Sequence, residues 1–157
     1  MEKTMKKTLL ATTLGTAAAA VLGGIATRSG MPWFQKLDKP SWQPPPAAFP
    51  LVWNPLYATI AYGGARALDR AGDERAGLGR TLAANLALNA AWPALFFGRR
   101  SPRLALAEIV ALNAANVLLV RKALRADRTA GLLLVPYASW TAFATVLNAA
   151  IVRKNPE

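Results

Sequence analysis

Charged side chains fall in bursts along this chain, and the stretches between the bursts are apolar. Residues 8–27, 40–65, 81–98, 104–120 and 129–152 carry almost no charge, and Glu108 is the acid that interrupts them. Each stretch is about as long as a helix needs to cross roughly 30 Å of hydrocarbon. Lys and Arg crowd the gaps, where membrane-flanking basic residues belong. The pattern predicts an all-α membrane protein, a five-transmembrane-helix bundle forming a single domain over 1–157. The spans are placed near 8–27, 46–67, 79–98, 103–122 and 129–152.

The first span has two readings. Lys3, Lys6 and Lys7, the run from Leu9 to Ile25 and the small residues from Ala18 to Ala20 also describe a cleavable secretory leader. Length favours a retained span, as does the spacing of Gly15, Ala19 and Gly23, which lets helices approach closely. Five spans put the termini on opposite sides. The N-terminal side then collects Lys3, Lys6, Lys7, Arg66, Arg70, Arg75, Arg80, Arg121, Lys122, Arg125 and Arg128, against eight basic residues on the other. The excess predicts a cytoplasmic N-terminus.

Composition narrows the chemistry. A net charge of +11 beside 54% hydrophobic residues is unusual for a small domain, but the cations mark span ends and form no face for nucleic acid. The chain has no cysteine and no histidine. Disulfides, thiolate nucleophiles, zinc sites and imidazole acid–base chemistry are excluded, and so are the usual axial ligands of haem iron. No metal site and no covalent cofactor is expected. A tetrapyrrole would be held by its ring face and carboxylates.

Proline lies inside three spans, at Pro55, Pro93 and Pro136, which leaves the carbonyls of Leu51, Asn89 and Leu132 without helical partners. These are either ordinary kinks or the bends of a bundle built around a pocket. Helical spacing puts Phe49, Trp53, Tyr57 and Ile60 on one face. It does the same for Asn85, Asn89, Trp92 and Phe96, and for Tyr137, Trp140, Ala144 and Asn148. An asparagine amide facing lipid would go unpaired, so Asn85, Asn89 and Asn148 point inward. Two readings stand: packing stripes glued by amides, or the lining of an aromatic cavity with a few polar anchors. The segment from Trp33 to Pro46, with Trp42 at its centre, is too aromatic and proline-rich for a plain connector. It reads as a helical, proline-rich lid loop between the first two spans. Glu108, one turn from the start of its helix, is placed within reach of water. Ala83, Ala87 and Ala91, and Ala107, Ala111 and Ala115, form small-residue ridges suited to a homodimer seam.

Three separated motifs carry a family resemblance over nearly the whole chain. They are Trp33 to Pro45 running on to Trp53 and Tyr57, Leu86 to Pro93 followed by Phe96-Phe97-Gly98, and Pro136 to Trp140 with Phe143-Ala144-Thr145 and Leu147-Asn148. This arrangement resembles the translocator protein / tryptophan-rich sensory protein family (TspO/MBR). The resemblance implies a five-helix membrane bundle, usually dimeric and with the third span at the seam. Its cavity binds porphyrins such as protoporphyrin IX, sterols in some members, and benzodiazepine- or isoquinoline-type ligands. The positions so implied are Trp33, Trp42, Trp53, Tyr57, Asn89, Trp92, Tyr137, Trp140, Ala144 and Asn148. Trp53 and Trp140 match the family's tryptophans for light-dependent porphyrin degradation. Arg28, Lys36 and Lys39 are candidates, from their position alone, to pair with propionates.

Departures qualify the resemblance. The residue after Asn148 is Ala149 where the mammalian sterol motif has tyrosine, Leu104 stands where a fourth-helix aromatic shapes the drug pocket, and Pro55 replaces a small residue. A looser sterol pattern, Leu56, Tyr62 and Arg66, lies on the second helix. The expected function is a membrane sensor or receptor for tetrapyrroles, with the porphyrin as ligand or photochemical substrate. The alternatives are a porphyrin-degrading enzyme and a carrier of porphyrins or sterol-like lipophiles. No charged relay crosses the spans and no inverted repeat appears, which weighs against the carrier.

Overall fold

A computed structural model describes residues 2–156. The chain forms five long helices: α1 (Glu2–Phe34), α2 (Ala48–Arg70), α3 (Arg75–Pro93), α4 (Pro102–Ala126) and α5 (Arg128–Lys154). A 3-10 turn, Gly72–Glu74, leads into α3, and a π-helical turn, Ala94–Gly98, continues it. No strand occurs among the described residues. Helices α1, α4 and α5 are each long and apolar enough to cross a membrane.

The helices close into a ring. Helix α1 packs on α2 and α3, α5 packs on α2 and α4, and α3 packs on α4. Polarity is inverted relative to a water-soluble bundle. Leu10, Leu14, Val21 and Ile25 of α1, Val110 and Val117 of α4, and Leu132 and Val146 of α5 face outward. Asn85, Asn116, Thr141 and Asn148 are buried. Such a surface is stable only against lipid. The chain is an integral membrane protein.

Each junction has a local cause. Ser101 caps α4 by accepting from the Leu104 N–H, with Pro102 in the first turn, where its missing N–H costs nothing. Asp127 caps α5 by accepting from the Ala130 N–H at 2.8 Å, and it receives both Arg66 (2.7 and 3.1 Å) and Arg70 (3.3 Å) from α2. Gly72, at φ +52°, turns the chain out of α2 in a conformation that suits glycine.

Helix α1 is longer than the expected first span. It runs through Pro32, so Trp33 sits on its last turn and the connecting segment begins only after Phe34. Its buried face is small: Thr8, Thr12, Thr16, Ala19, Gly23 and Gly30. At Gly30 the backbone of Phe97 lies where a Cβ would be, so only glycine permits this approach. Thr12 Oγ1 donates to the Ala61 carbonyl of α2 at 2.8 Å. The α1 stripe is therefore used in packing.

The prolines do not surround a pocket. Pro55 and Pro136 lie on exposed outer faces of α2 and α5. Pro93 ends α3 and packs against Gly23, and beyond it the helix widens so that the Arg99 N–H reaches the Ala94 carbonyl at 2.9 Å.

Candidate functional site

The inward asparagines form a continuous polar ladder through three helices. Asn89 Nδ2 of α3 donates to the Tyr137 hydroxyl of α5 at 3.0 Å, and that hydroxyl donates to Asn85 Oδ1 at 2.9 Å. Asn85 Nδ2 donates to Asn116 Oδ1 of α4 at 2.6 Å, and Asn116 Nδ2 to Thr141 Oγ1 of α5 at 2.7 Å. A separate pair joins Trp92 Nε1 to Asn148 Oδ1 at 3.0 Å, while Asn148 Nδ2 donates to the Pro102 carbonyl at 2.9 Å. In lipid these bonds have no water to compete with them. The ladder ties α3, α4 and α5 together and presents few free polar groups.

Aromatic rings gather on the other side of this ladder in two connected groups. Trp53 is stacked on Tyr57 (centroids 5.2 Å, planes 29° apart) and meets Tyr137 edge-on at 6.2 Å. Trp140 of α5 lies 5.2 Å from Phe143 and edge-on to Phe49 of α2 at 6.1 Å. Trp42 on the connecting segment meets Phe143 at 6.0 Å and keeps 48% of its surface exposed. In the second group Trp92 is stacked on Phe96 at 4.8 Å, and Trp33 touches the edge of Phe96 at 5.8 Å. Phe49 and Phe143 belong to both groups.

The expected residues thus divide by environment. Trp53, Tyr57, Trp140 and Trp42 are half-buried or exposed and lie around the junction of α2, α5 and the connecting segment. Tyr137 and Asn89 stand behind them, bonded to each other. Trp33, Trp92 and Asn148 are committed to the second group, and Ala144 is half-buried one turn from Trp140 on α5. Ring-to-ring contacts run through the region that the spacing marked for a cavity. Of these residues, Tyr57 also lines a groove of about 430 Å³ between α1 and α2, with Thr13, Thr16, Ala58, Ala61 and Tyr62.

The segment between α1 and α2 is anchored where it leaves α1. The Asp38 N–H donates to Asn155 Oδ1 at 2.9 Å, and Asn155 Nδ2 returns a bond to the Asp38 carbonyl at 2.8 Å. Lys39 Nζ donates to the Gln35 and Leu37 carbonyls at 3.2 and 2.9 Å and lies 4.8 Å from the centre of the Phe34 ring. Its charge caps the C-terminus of α1 and is less available for a carboxylate than sequence position suggested. Arg28 and Lys36 remain exposed at the same end.

Gln43 was not marked by spacing, and Glu108 was marked but placed differently. Gln43 Oε1, within the proline-rich segment, is buried without a partner. Glu108 carries both carboxyl oxygens buried and unpartnered, which corrects its placement within reach of water. The only sequence signal for Gln43 was its place beside Trp42. Glu108 signalled itself as an acid inside a span.

Comparison with known proteins bears on this geometry. The family model described as the TspO/MBR family matches residues 11–153. The chain is 37% identical over 142 residues to the tryptophan-rich protein TspO of Chlorobaculum tepidum, covering 88% of this chain and 90% of that one. It is 36% identical to the human translocator protein over 80% of this chain and 76% of that one. It is 34% identical to the tryptophan-rich sensory protein of Cereibacter sphaeroides, over 78% and 77%.

Proposed function

The chain belongs to the TspO/MBR family, and on that premise we propose that it is a membrane receptor for tetrapyrroles, seated between α2, α5 and the segment joining α1 to α2. The observation that carries this reading is the convergence of Trp53 and Tyr57 on α2 with Trp140 on α5, beneath Trp42. Flat aromatic faces, half-buried and not yet sealed, suit a flat apolar ligand. The porphyrin enters by replacing ring-to-ring contacts, with Trp42 and the segment around Gln43 as its lid. Trp33, Trp92, Tyr137, Ala144, Asn148 and Asn89 shape the wall behind it.

Light-driven loss of bound porphyrin follows from the same placement. An excited macrocycle held against the Trp53 and Trp140 indoles exchanges an electron with them or passes activated dioxygen to its own ring. No side chain here is a nucleophile paired with a base, so the protein's part is to hold the ring against the two indoles with which it exchanges an electron. Arg28 and Lys36 sit where propionates would emerge.

The wider reading is a bundle of five spans with a cytoplasmic N-terminus and a dimer seam along α3. The exposure of Ala83 and Ala87 supports that seam, and the distribution of basic residues supports the orientation. The test is titration of the detergent-purified chain with protoporphyrin IX in the dark. Saturable binding that weakens in Trp53→Phe and Trp140→Phe supports the reading, and absence of saturation removes it.

A further inference from the structure

A groove of about 300 Å³ opens between α3 and α4, away from the aromatic cluster. At its upper end stand Arg80 and Lys122, with Thr81 between them, and its floor is Ala84, Ala115 and Leu118. Lys122 Nζ donates to Thr81 Oγ1 at 2.8 Å and to the Gly77 carbonyl at 3.5 Å, which orients the ammonium and leaves it a third N–H. Among the described residues neither Arg80 nor Lys122 forms an ion pair. The nearest acid, Glu74, approaches Gly77 without pairing with Lys122.

The floor has a different character. Leu118 is 48% exposed and Ala84 is exposed, so the groove runs from a cationic mouth down onto lipid-facing helix surface. Two alanines make the channel shallow enough for a hydrocarbon chain to lie close to both helices. A molecule that satisfies both ends carries an anionic oxygen group and an apolar tail in register. Two cations that form no ion pair, against the single Glu74 carboxylate near Gly77, leave the mouth net positive and select a net negative head over a zwitterionic one.

We propose that the α3–α4 groove is a binding site for one anionic phospholipid per protomer. Arg80 and Lys122 hold the phosphate, Thr81, whose hydroxyl donates to the Gly77 carbonyl at 3.0 Å, orients the Lys122 ammonium, and an acyl chain lies along Ala84, Ala115 and Leu118. The site is separate from the aromatic cluster and does not depend on what that cluster binds. Its border with Ala83 and Ala87 places the lipid beside the α3 ridge.

The experiment is native mass spectrometry of the full chain released from nanodiscs of phosphatidylcholine doped with phosphatidylglycerol. The wild type retains one phosphatidylglycerol per protomer. Each cation removed, in Arg80→Gln and Lys122→Gln, lowers retention about fivefold, from roughly 1 kcal/mol per basic contact. Ala115→Phe keeps both cations, fills the channel and also abolishes retention. Arg99→Gln with Arg100→Gln removes two charges elsewhere and leaves retention unchanged. If retention follows net charge alone, or survives Ala115→Phe, the groove is not a site. Where Lys122→Gln fails to fold, Arg80→Gln and Ala115→Phe decide the matter.

Discussion

The Tyr137 hydroxyl of α5 donates to Asn85 Oδ1 of α3 across 2.9 Å, in the middle of an apolar bundle. The same hydroxyl accepts from Asn89, so one side chain closes a ladder that runs on through Asn116 to Thr141. Removing it strands a donor and an acceptor where water does not reach. Tyr137→Phe is expected to cost about 1–3 kcal/mol. Thermal unfolding in detergent measures it, and an unchanged midpoint would show that the ladder is slack.

Glu108 makes the opposite prediction. Its carboxyl oxygens are buried with no partner, and an unsatisfied polar group in such a place costs on the order of 1–3 kcal/mol. Glu108→Leu should therefore raise the unfolding midpoint of the ligand-free protein. A lower midpoint would mean that the carboxyl has a partner in the membrane.

Glycine positions separate close packing from idle space. Gly30 meets the Phe97 backbone, whereas nothing lies within 4 Å of a Cβ at Gly98. Gly30→Ala is expected to lose several kcal/mol or fail to assemble, as overpacked sites do. Gly98→Ala should fall within about 0.5 kcal/mol of wild type, as substitutions in open space do. Similar losses in both would contradict the packing of α1 against the π-helical turn.

Asp127 links stability to pH. Hydrogen bonding from Arg66, and then from the Ala130 N–H, holds its carboxyl below the usual range. A depressed folded-state value means that its stabilisation is complete above the ordinary aspartate pKa of about 3.9 and is lost as pH falls through the lowered one. Asp127→Ala should cost about 1 kcal/mol at neutral pH through the lost cap alone. The gap between wild type and variant should narrow in acid. A gap that widens as pH falls would refute the assignment.

Much of this was legible because membranes simplify the code. Apolar runs bounded by cations announced the helices, and an amide cannot face lipid, so Asn85, Asn89 and Asn148 had to turn inward. What they bond to was not legible: Asn116 carries the same inward signal, but spacing along one helix does not say which amides and hydroxyls on neighbouring helices meet. The expected first span stopped near residue 27, yet α1 continues through Pro32 to Phe34 and takes Trp33 out of the loop. Pro55 and Pro136 read equally as ordinary kinks or as bends around a pocket, and they lie on the outside. The stripes placed residues on common helix faces, but periodicity does not report which rings meet or whether they leave a gap, and here Trp53 rests on Tyr57 and Trp140 on Phe143.

That last relationship sets the measurement that matters most. Protoporphyrin IX is titrated into wild type, Trp53→Phe and Trp140→Phe in the dark, and each sample is then illuminated while porphyrin absorbance is followed. The account predicts saturable dark binding, weakened about fivefold per tryptophan for the loss of roughly 1 kcal/mol of aromatic contact. It also predicts light-driven absorbance loss in wild type that both variants suppress. Equal binding and equal bleaching in all three proteins would contradict it.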